Sequence, residues 1–121
     1  MKILIVDDDV ELTKAVVSSV SSFGHDVKFT NDSKEGLKLI REQNHDLVLL
    51  DLSMPEFSGI DIIKDLAKDG TIKEKKIVVM TASTVDEVEL KNLVDLGVDS
   101  VLQKPVDIDA LLNKIEEIGS S

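Results

Sequence analysis

The sequence contains no cysteine, which excludes disulfide scaffolds, thiolate zinc centres and cysteine nucleophiles. Tryptophan and tyrosine are absent too, and the three phenylalanines are too few for a surface on which bases or sugars stack. Basic charge is in deficit: 14 Lys and Arg stand against 24 Asp and Glu, a formal charge of -10. Such a chain repels nucleic acid and anionic membrane, and no basic patch interrupts it. It attracts divalent cations and basic partners instead. Long hydrophobic runs are missing as well; four-residue runs such as Ile3 to Val6 fall far short of the roughly 20 residues of a membrane span. Met1-Lys2-Ile3 leads straight into a short apolar segment with no signal-peptide pattern, so a cytoplasmic protein is expected.

What is present is an ordinary globular mixture, 42% hydrophobic and 31% charged, over 121 residues. That length fits one domain burying roughly two-thirds of its unfolded surface. Unbroken apolar runs at Ile3 to Val6, Leu47 to Leu50 and Ile77 to Met80 suit strands covered on both faces. Val27 and Phe29, with a lysine between them, suit an edge strand, and Ser100 to Leu102 makes a fifth. Between the strands, apolar residues recur at helical spacing. Leu12, Ala15, Val16, Val20 and Phe23 mark a first helix before Gly24. Asp32 with Glu35 forms a capping-box pattern for a second helix reaching about Gln43. Ile60, Ile63, Leu66 and Ala67 outline a third, ended by Asp69-Gly70. Thr84 with Glu87 fits the cap of a fourth, whose apolar side carries Val88, Leu93, Val94 and Leu96 up to Gly97. Asp107 opens a fifth, with Ile108, Leu111, Leu112, Ile115 and Ile118 on one side. Five strands alternating with five helices predict an α/β fold with a parallel sheet and helices on both faces. Five units are too few for an eightfold barrel, which leaves an open doubly wound sheet, of order 2-1-3-4-5 or a Rossmann-like relative.

Ligands of such sheets bind beyond the carboxyl ends of the strands. After the first strand come Asp7, Asp8 and Asp9; after the third, Asp51; after the fourth, Thr81; after the fifth, Gln103, Lys104 and Pro105. Each has a plain structural reading: Asp8 with Glu11 fits a helix cap, Asp51 a loop start, Lys104 a solvated lysine. Their joint placement on one rim carries the signal. Two carboxylates about 5 Å apart repel by roughly 3 kcal/mol at an effective dielectric near 20. The set therefore calls for a cation or protons. Oxygen donors without His or Cys favour a hard ion, and few protein ligands favour magnesium, which also binds phosphate. A carboxylate beside that ion can attack a phosphoryl group. Lys104 and Thr81 stand ready to stabilise the transferring charge. Lys104-Pro105 is a candidate cis bond. His25 and His45 fall at strand entrances on the opposite rim, where exposed residues without function are expected.

The stretches ILIVDDD (3–9), LVLLDLSMPEFSG (47–59), VVMTAS (78–83) and QKP (103–105) resemble the receiver domains of two-component response regulators over essentially the whole chain. The resemblance implies a flavodoxin-like sheet of order 2-1-3-4-5 across residues 1–118, with 119–121 as a tail or linker stub. It implies Asp51 as phosphoacceptor, charged by a histidine kinase or phosphotransfer domain or by a small donor such as acetyl phosphate. Asp8 then ligates Mg2+ directly, and Asp7 does so directly or through water. Asp51 and the backbone carbonyl of Ser53 complete the ligands. Lys104 pairs first with the acceptor carboxylate and then with a phosphoryl oxygen; Thr81 moves its hydroxyl to the phosphoryl group, and Ala82 leaves room for it. Asp9 matches no required role beyond a helix cap.

Departures from the family pattern bear on function. The position three residues before the lysine usually holds Tyr or Phe and here is Val101, stiff and without a ring to rotate. A shift of the loop from Thr81 to Val85 and of the Val88 helix against Val101 is expected in its place. Phe57 and Ser58 replace the common Met and Asp. Ser53 and Ser83, flanking the position of a hydrolytic water, supply no base, so solvent access should govern the phosphoryl lifetime. The expected function is a phosphorylation-controlled switch acting on itself rather than a turnover enzyme. It works through a downstream protein target or a fused output domain, without touching nucleic acid itself or a membrane. An aspartate-nucleophile phosphohydrolase would need an acid at Ser53, and a flavin-binding relative would need a Ser/Thr/Gly cradle at the three acids. A phosphorylation-independent scaffold has no need of the complete acid, threonine and lysine set. Helix periodicity stops near Ile118, which fits either a stand-alone regulator or the first domain of a longer one.

Overall fold

The computed structural model describes residues 1–54, 56–82 and 86–120. Five strands run β1 (Lys2–Val6), β2 (Asp26–Thr30), β3 (Leu47–Asp51), β4 (Ile77–Thr81) and β5 (Ser100–Gln103). They alternate with α1 (Val10–Ser21), α2 (Ser33–Glu42), α3 (Gly59–Lys68), α4 (Glu87–Leu96) and α5 (Ile108–Ser120). The sheet is entirely parallel with order β2-β1-β3-β4-β5. The doubly wound expectation holds, and the three unbroken apolar runs occupy the three central strands.

Those runs are buried on both sides because successive side chains of a strand face opposite layers. Leu4, Val6, Val48, Leu50, Ile77 and Val79 meet Ile40 of α2, Ile62, Ile63 and Leu66 of α3, and Leu93 of α4. Ile3, Ile5, Leu47, Leu49, Val78 and Met80 meet Val16 and Val20 of α1 and Leu111 and Ile115 of α5. Each buried aliphatic side chain contributes about 1.5–3 kcal/mol relative to exposure. A fully apolar strand of four therefore serves two layers, and a slip by one residue would still bury it. The polar residues at the strand ends set the register.

Local chemistry starts and stops the helices. Asp9 caps α1 by accepting from the Leu12 N–H at 3.1 Å, so the Asp8–Glu11 alternative is not the one used. Asp32 accepts from the Lys34 and Glu35 N–H groups at the start of α2. At α3, Ser58 and Asp61 form a reciprocal capping box, visible in the sequence as Ser-x-x-Asp but not read there as a helix start. Asp86 caps α4 by accepting from the Glu89 N–H at 2.8 Å; the expected Thr84–Glu87 pair is displaced, and Thr84 itself lies outside the described residues. α5 continues to Ser120, past the end of its apolar stripe at Ile118. A short 3-10 turn, Thr71–Glu74, buries Ile72 between α3 and β4, an element that four residues are too few to announce.

The expected apolar stripe of α4 is only partly a core face. Leu93 is buried, but Val88 is 69% exposed and Val94 48%. This helix lies toward the β4–β5 side, where the sheet ends and little apolar surface remains to cover. Phe23, read as an inward position of α1, is likewise exposed beyond the helix end. His45 also departs from expectation: it is half-buried, its Nε2 lacks a partner, and burial, Lys28, Lys75 and Lys2 all lower its pKa.

Candidate functional site

Four strand ends converge on one rim. Asp7 follows β1 and continues its ladder by donating its N–H to the Thr30 carbonyl at 3.2 Å. Asp51 closes β3 and Thr81 closes β4, with Asp51 paired in register to Met80 and Thr81 to Gln103. Lys104 follows β5, its N–H on the Thr81 carbonyl at 2.7 Å, and its bond to Pro105 is cis. Parallel pairing alone thus brings together residues far apart in the chain. Asp7, Asp51 and Thr81 are all buried, whereas Asp8 is exposed at the mouth and Ala82 is exposed beyond Thr81.

The carboxylates of Asp7, Asp8 and Asp51 each bring an oxygen within 4.8 Å of the others. The Lys104 ammonium lies 2.9 Å from Asp7 Oδ2 and 3.5 Å from Asp51 Oδ2. Burial alone would lower the pKa of this lysine, but Asp7 and then Asp51 outweigh it and raise it. The Asp51 carboxyl is pushed up to about 6: burial raises it most and the Asp7 charge adds, while the Ser53 N–H at 3.1 Å and Lys104 oppose. One ammonium therefore does not compensate the buried acids. Asp7 Oδ2 has the ammonium as ion-pair neighbour but no aligned hydrogen bond, so its acceptor capacity is unspent. An all-oxygen set with spare acceptor capacity and excess negative charge fits a hard divalent cation.

Sequence reasoning passed over the support beneath this rim. Asn31, just after β2, donates from Nδ2 to the Asp7 carbonyl at 2.7 Å and to Thr13 Oγ1 at 3.2 Å. Its signal was present, since it follows a strand on the same rim as the acids. Gly59 begins α3 directly beneath the loop that follows Asp51, its N–H on the Leu52 carbonyl at 3.1 Å. A Cβ there would stand 2.7 Å from Leu52 Cα and closer still to the Asp51 carbonyl oxygen, so no larger residue fits without moving backbone. Among the roles implied for other positions, Ser53 is exposed two residues past Asp51, and Ser83 to Val85 lie outside the described residues.

A family model described as the response regulator receiver domain matches residues 3–116. The chain belongs to that family. A transcriptional regulatory protein DltR of Streptococcus agalactiae is 34% identical over 117 residues, covering 95% of this chain and 50% of its own length. The chain spans about half the length of the curated relatives of this kind that it matches. Among solved structures, the Francisella response regulator 1452 receiver domain superposes with a TM-score of 0.86 at 27% identity, covering 97% of this chain and 94% of the other. Response regulator TrrA of Thermotoga maritima, solved in complex with Mg(2+)-BeF, gives a TM-score of 0.79 at 26% identity, with 97% of each chain covered. This receiver domain contains, among the described residues, no helix long and apolar enough to cross a membrane.

Proposed function

We propose that this receiver domain accepts a phosphoryl group on Asp51, using magnesium held by Asp7, Asp8, Asp51 and the Ser53 backbone carbonyl. The observation that carries the reading is the buried Asp51 carboxylate, within 4.8 Å of two further acids and 3.5 Å from an ammonium. Magnesium, when bound, supplies the positive charge that lets three acids coexist and that binds phosphoryl oxygens. Asp51 is the nucleophile: its oxygen forms the new P–O bond as the donor's P–N bond breaks, and the histidine nitrogen of the donor leaves with the electron pair. Lys104 offers its protons to a phosphoryl oxygen, and Thr81 offers its hydroxyl to another. Hydrolysis reverses the state when water attacks phosphorus and the Asp51 oxygen departs as carboxylate.

The donor is a histidine kinase or phosphotransfer domain, and the readout is a changed contact with a downstream protein or a fused output domain. This chemistry acts on the domain itself, so the protein is a switch rather than a turnover enzyme, working in the cytoplasm. Incubation with magnesium and acetyl phosphate, followed by intact mass, tests the reading. One added phosphoryl group on the wild type, absent from Asp51→Asn and without divalent cation, is the expected result. No addition to the wild type from either acetyl phosphate or a phosphorylated kinase would overturn it.

A further inference from the structure

Asp8 is exposed between β1 and α1, and its side chain makes no hydrogen bond or ion pair among the described residues. Its backbone, by contrast, is fastened on both sides. The peptide joining Asp7 to Asp8 is held at its carbonyl by Asn31 Nδ2 at 2.7 Å. The peptide joining Asp8 to Asp9 is held at its N–H by Asp7 Oδ1 at 2.9 Å. One residue on, the Asp9 carbonyl accepts from Thr13 Oγ1 at 2.8 Å, and that hydroxyl accepts in turn from Asn31 at 3.2 Å. Thr13 is 1% exposed, so its hydroxyl bonds are buried. Asn31 thus reaches across from the end of β2 to the carbonyl of the peptide preceding Asp8, and through Thr13 to the Asp9 carbonyl one peptide further on.

We infer that Asn31 and Thr13 are positioning residues for the cation ligands, setting how tightly Asp7 and Asp8 bind a divalent cation. The inference rests on the proposed magnesium role of those two acids. The physical reason is entropic and geometric. A carboxylate on an unfastened turn must be ordered when the ion binds, whereas one whose flanking peptide planes are already fixed is not. Groups outside the ligand shell that orient ligands commonly alter metal affinity 10–100-fold. The Asn31 amide also donates to the carbonyl without adding charge near the ion, so its effect is purely orientational. The side-chain hydrogen bonds of both go to the segment 7–9 and to each other, so their effect should appear in cation binding before any chemistry.

The test is a magnesium titration followed through the backbone amide resonances of Asp8, Asp9 and Ser53, with no phosphodonor present. In Asn31→Ala the dissociation constant for magnesium should rise roughly tenfold. Thr13→Val, which keeps shape but loses the hydroxyl, should weaken binding severalfold, and Thr13→Ser should restore it to within about twofold. Urea unfolding of the same variants supplies the control: lost stability with unchanged affinity in the folded protein means a structural role only and overturns the inference. If Asn31→Ala does not fold, the Thr13→Val and Thr13→Ser pair decides by the same criterion. A wild type that binds no magnesium at these resonances would instead sink the metal reading, and the present inference with it.

Discussion

Lys104 stands closer to Asp7 than to Asp51, at 2.9 Å against 3.5 Å. The family resemblance pairs this lysine with the acceptor. Both acids are buried, and a charge without solvent is costly unless something compensates it. The ammonium sits between the two, within ion-pair distance of each. That leaves the acids with negative charge that one ammonium does not balance, a charge a divalent cation could offset before an anion approaches Asp51.

Removing the ammonium should be severe. Lys104→Met leaves Asp7 buried beside Asp51 with no counter-charge, and breaking such a buried pair costs about 3–5 kcal/mol. Urea unfolding of the cation-free protein at neutral pH should show that loss, and added magnesium should recover part of it. Equal stability of the variant and the wild type would mean that Asp7 is compensated by another group.

Asp51 gives a pH signature of the opposite sign. Its carboxyl rises from 3.8 to about 6 on folding, with burial as the main cause. The native state therefore holds a proton that the unfolded chain releases, and stability falls as pH rises from about 4 to about 6. A shift of about two units corresponds to about 3 kcal/mol at most. Without divalent cation, Asp51→Asn should thus be more stable than wild type at neutral pH, and the advantage should vanish below about pH 4. Urea unfolding across that range checks both the sign and the window.

Gly59 and Gly24 should respond differently to the same substitution. Gly59→Ala drives a Cβ into the Leu52 and Asp51 backbone, which cannot yield without displacing Asp51. A loss of about 3 kcal/mol or more, together with slowed phosphoryl uptake, is expected. Gly24 faces open space, and its φ of +89° makes alanine unfavourable by only about 1 kcal/mol. Its phosphoryl uptake should be unchanged. Thermal unfolding and the mass assay separate the two.

Val101 lies half-buried in β5 against the core that holds Leu93 and Val98. With no ring to rotate at this position, the proposed route for a phosphorylation signal is a displacement of α4 against Val101. Binding of beryllofluoride with magnesium should shift the amide resonances of Val101, Leu93 and Leu96 while leaving those of α2 nearly unmoved. Shifts confined to Asp51 and its immediate neighbours would rule out that route.

The sheet was legible because three four-residue apolar runs can be buried only between two layers, and strict alternation with helices admits few topologies. The acids, Thr81 and Lys104 were legible because each follows a strand, and parallel strands present their carboxyl ends on one rim. Helix starts were harder to read. Asp9 reads as a cap for α1 and serves as one, but at α4 a Thr84–Glu87 pattern drew attention from Asp86, which caps the helix instead. The exposure of Val88 and Val94 was hidden for a similar reason, since periodicity marks an apolar face without saying whether a sheet extends far enough to cover it.

The amino-acid order by itself determined the strand count, the parallel architecture and which side chains share the rim, because these follow from local hydrogen-bonding periodicity and the burial of apolar runs. Only the tertiary structure decided that Lys104 lies nearer Asp7, that Asn31 clamps the turn carrying Asp8, and that Gly59 lies against the Asp51 backbone. Those contacts join residues distant in the chain, and their distances depend on how strands and helices settle against one another, which no local pattern encodes.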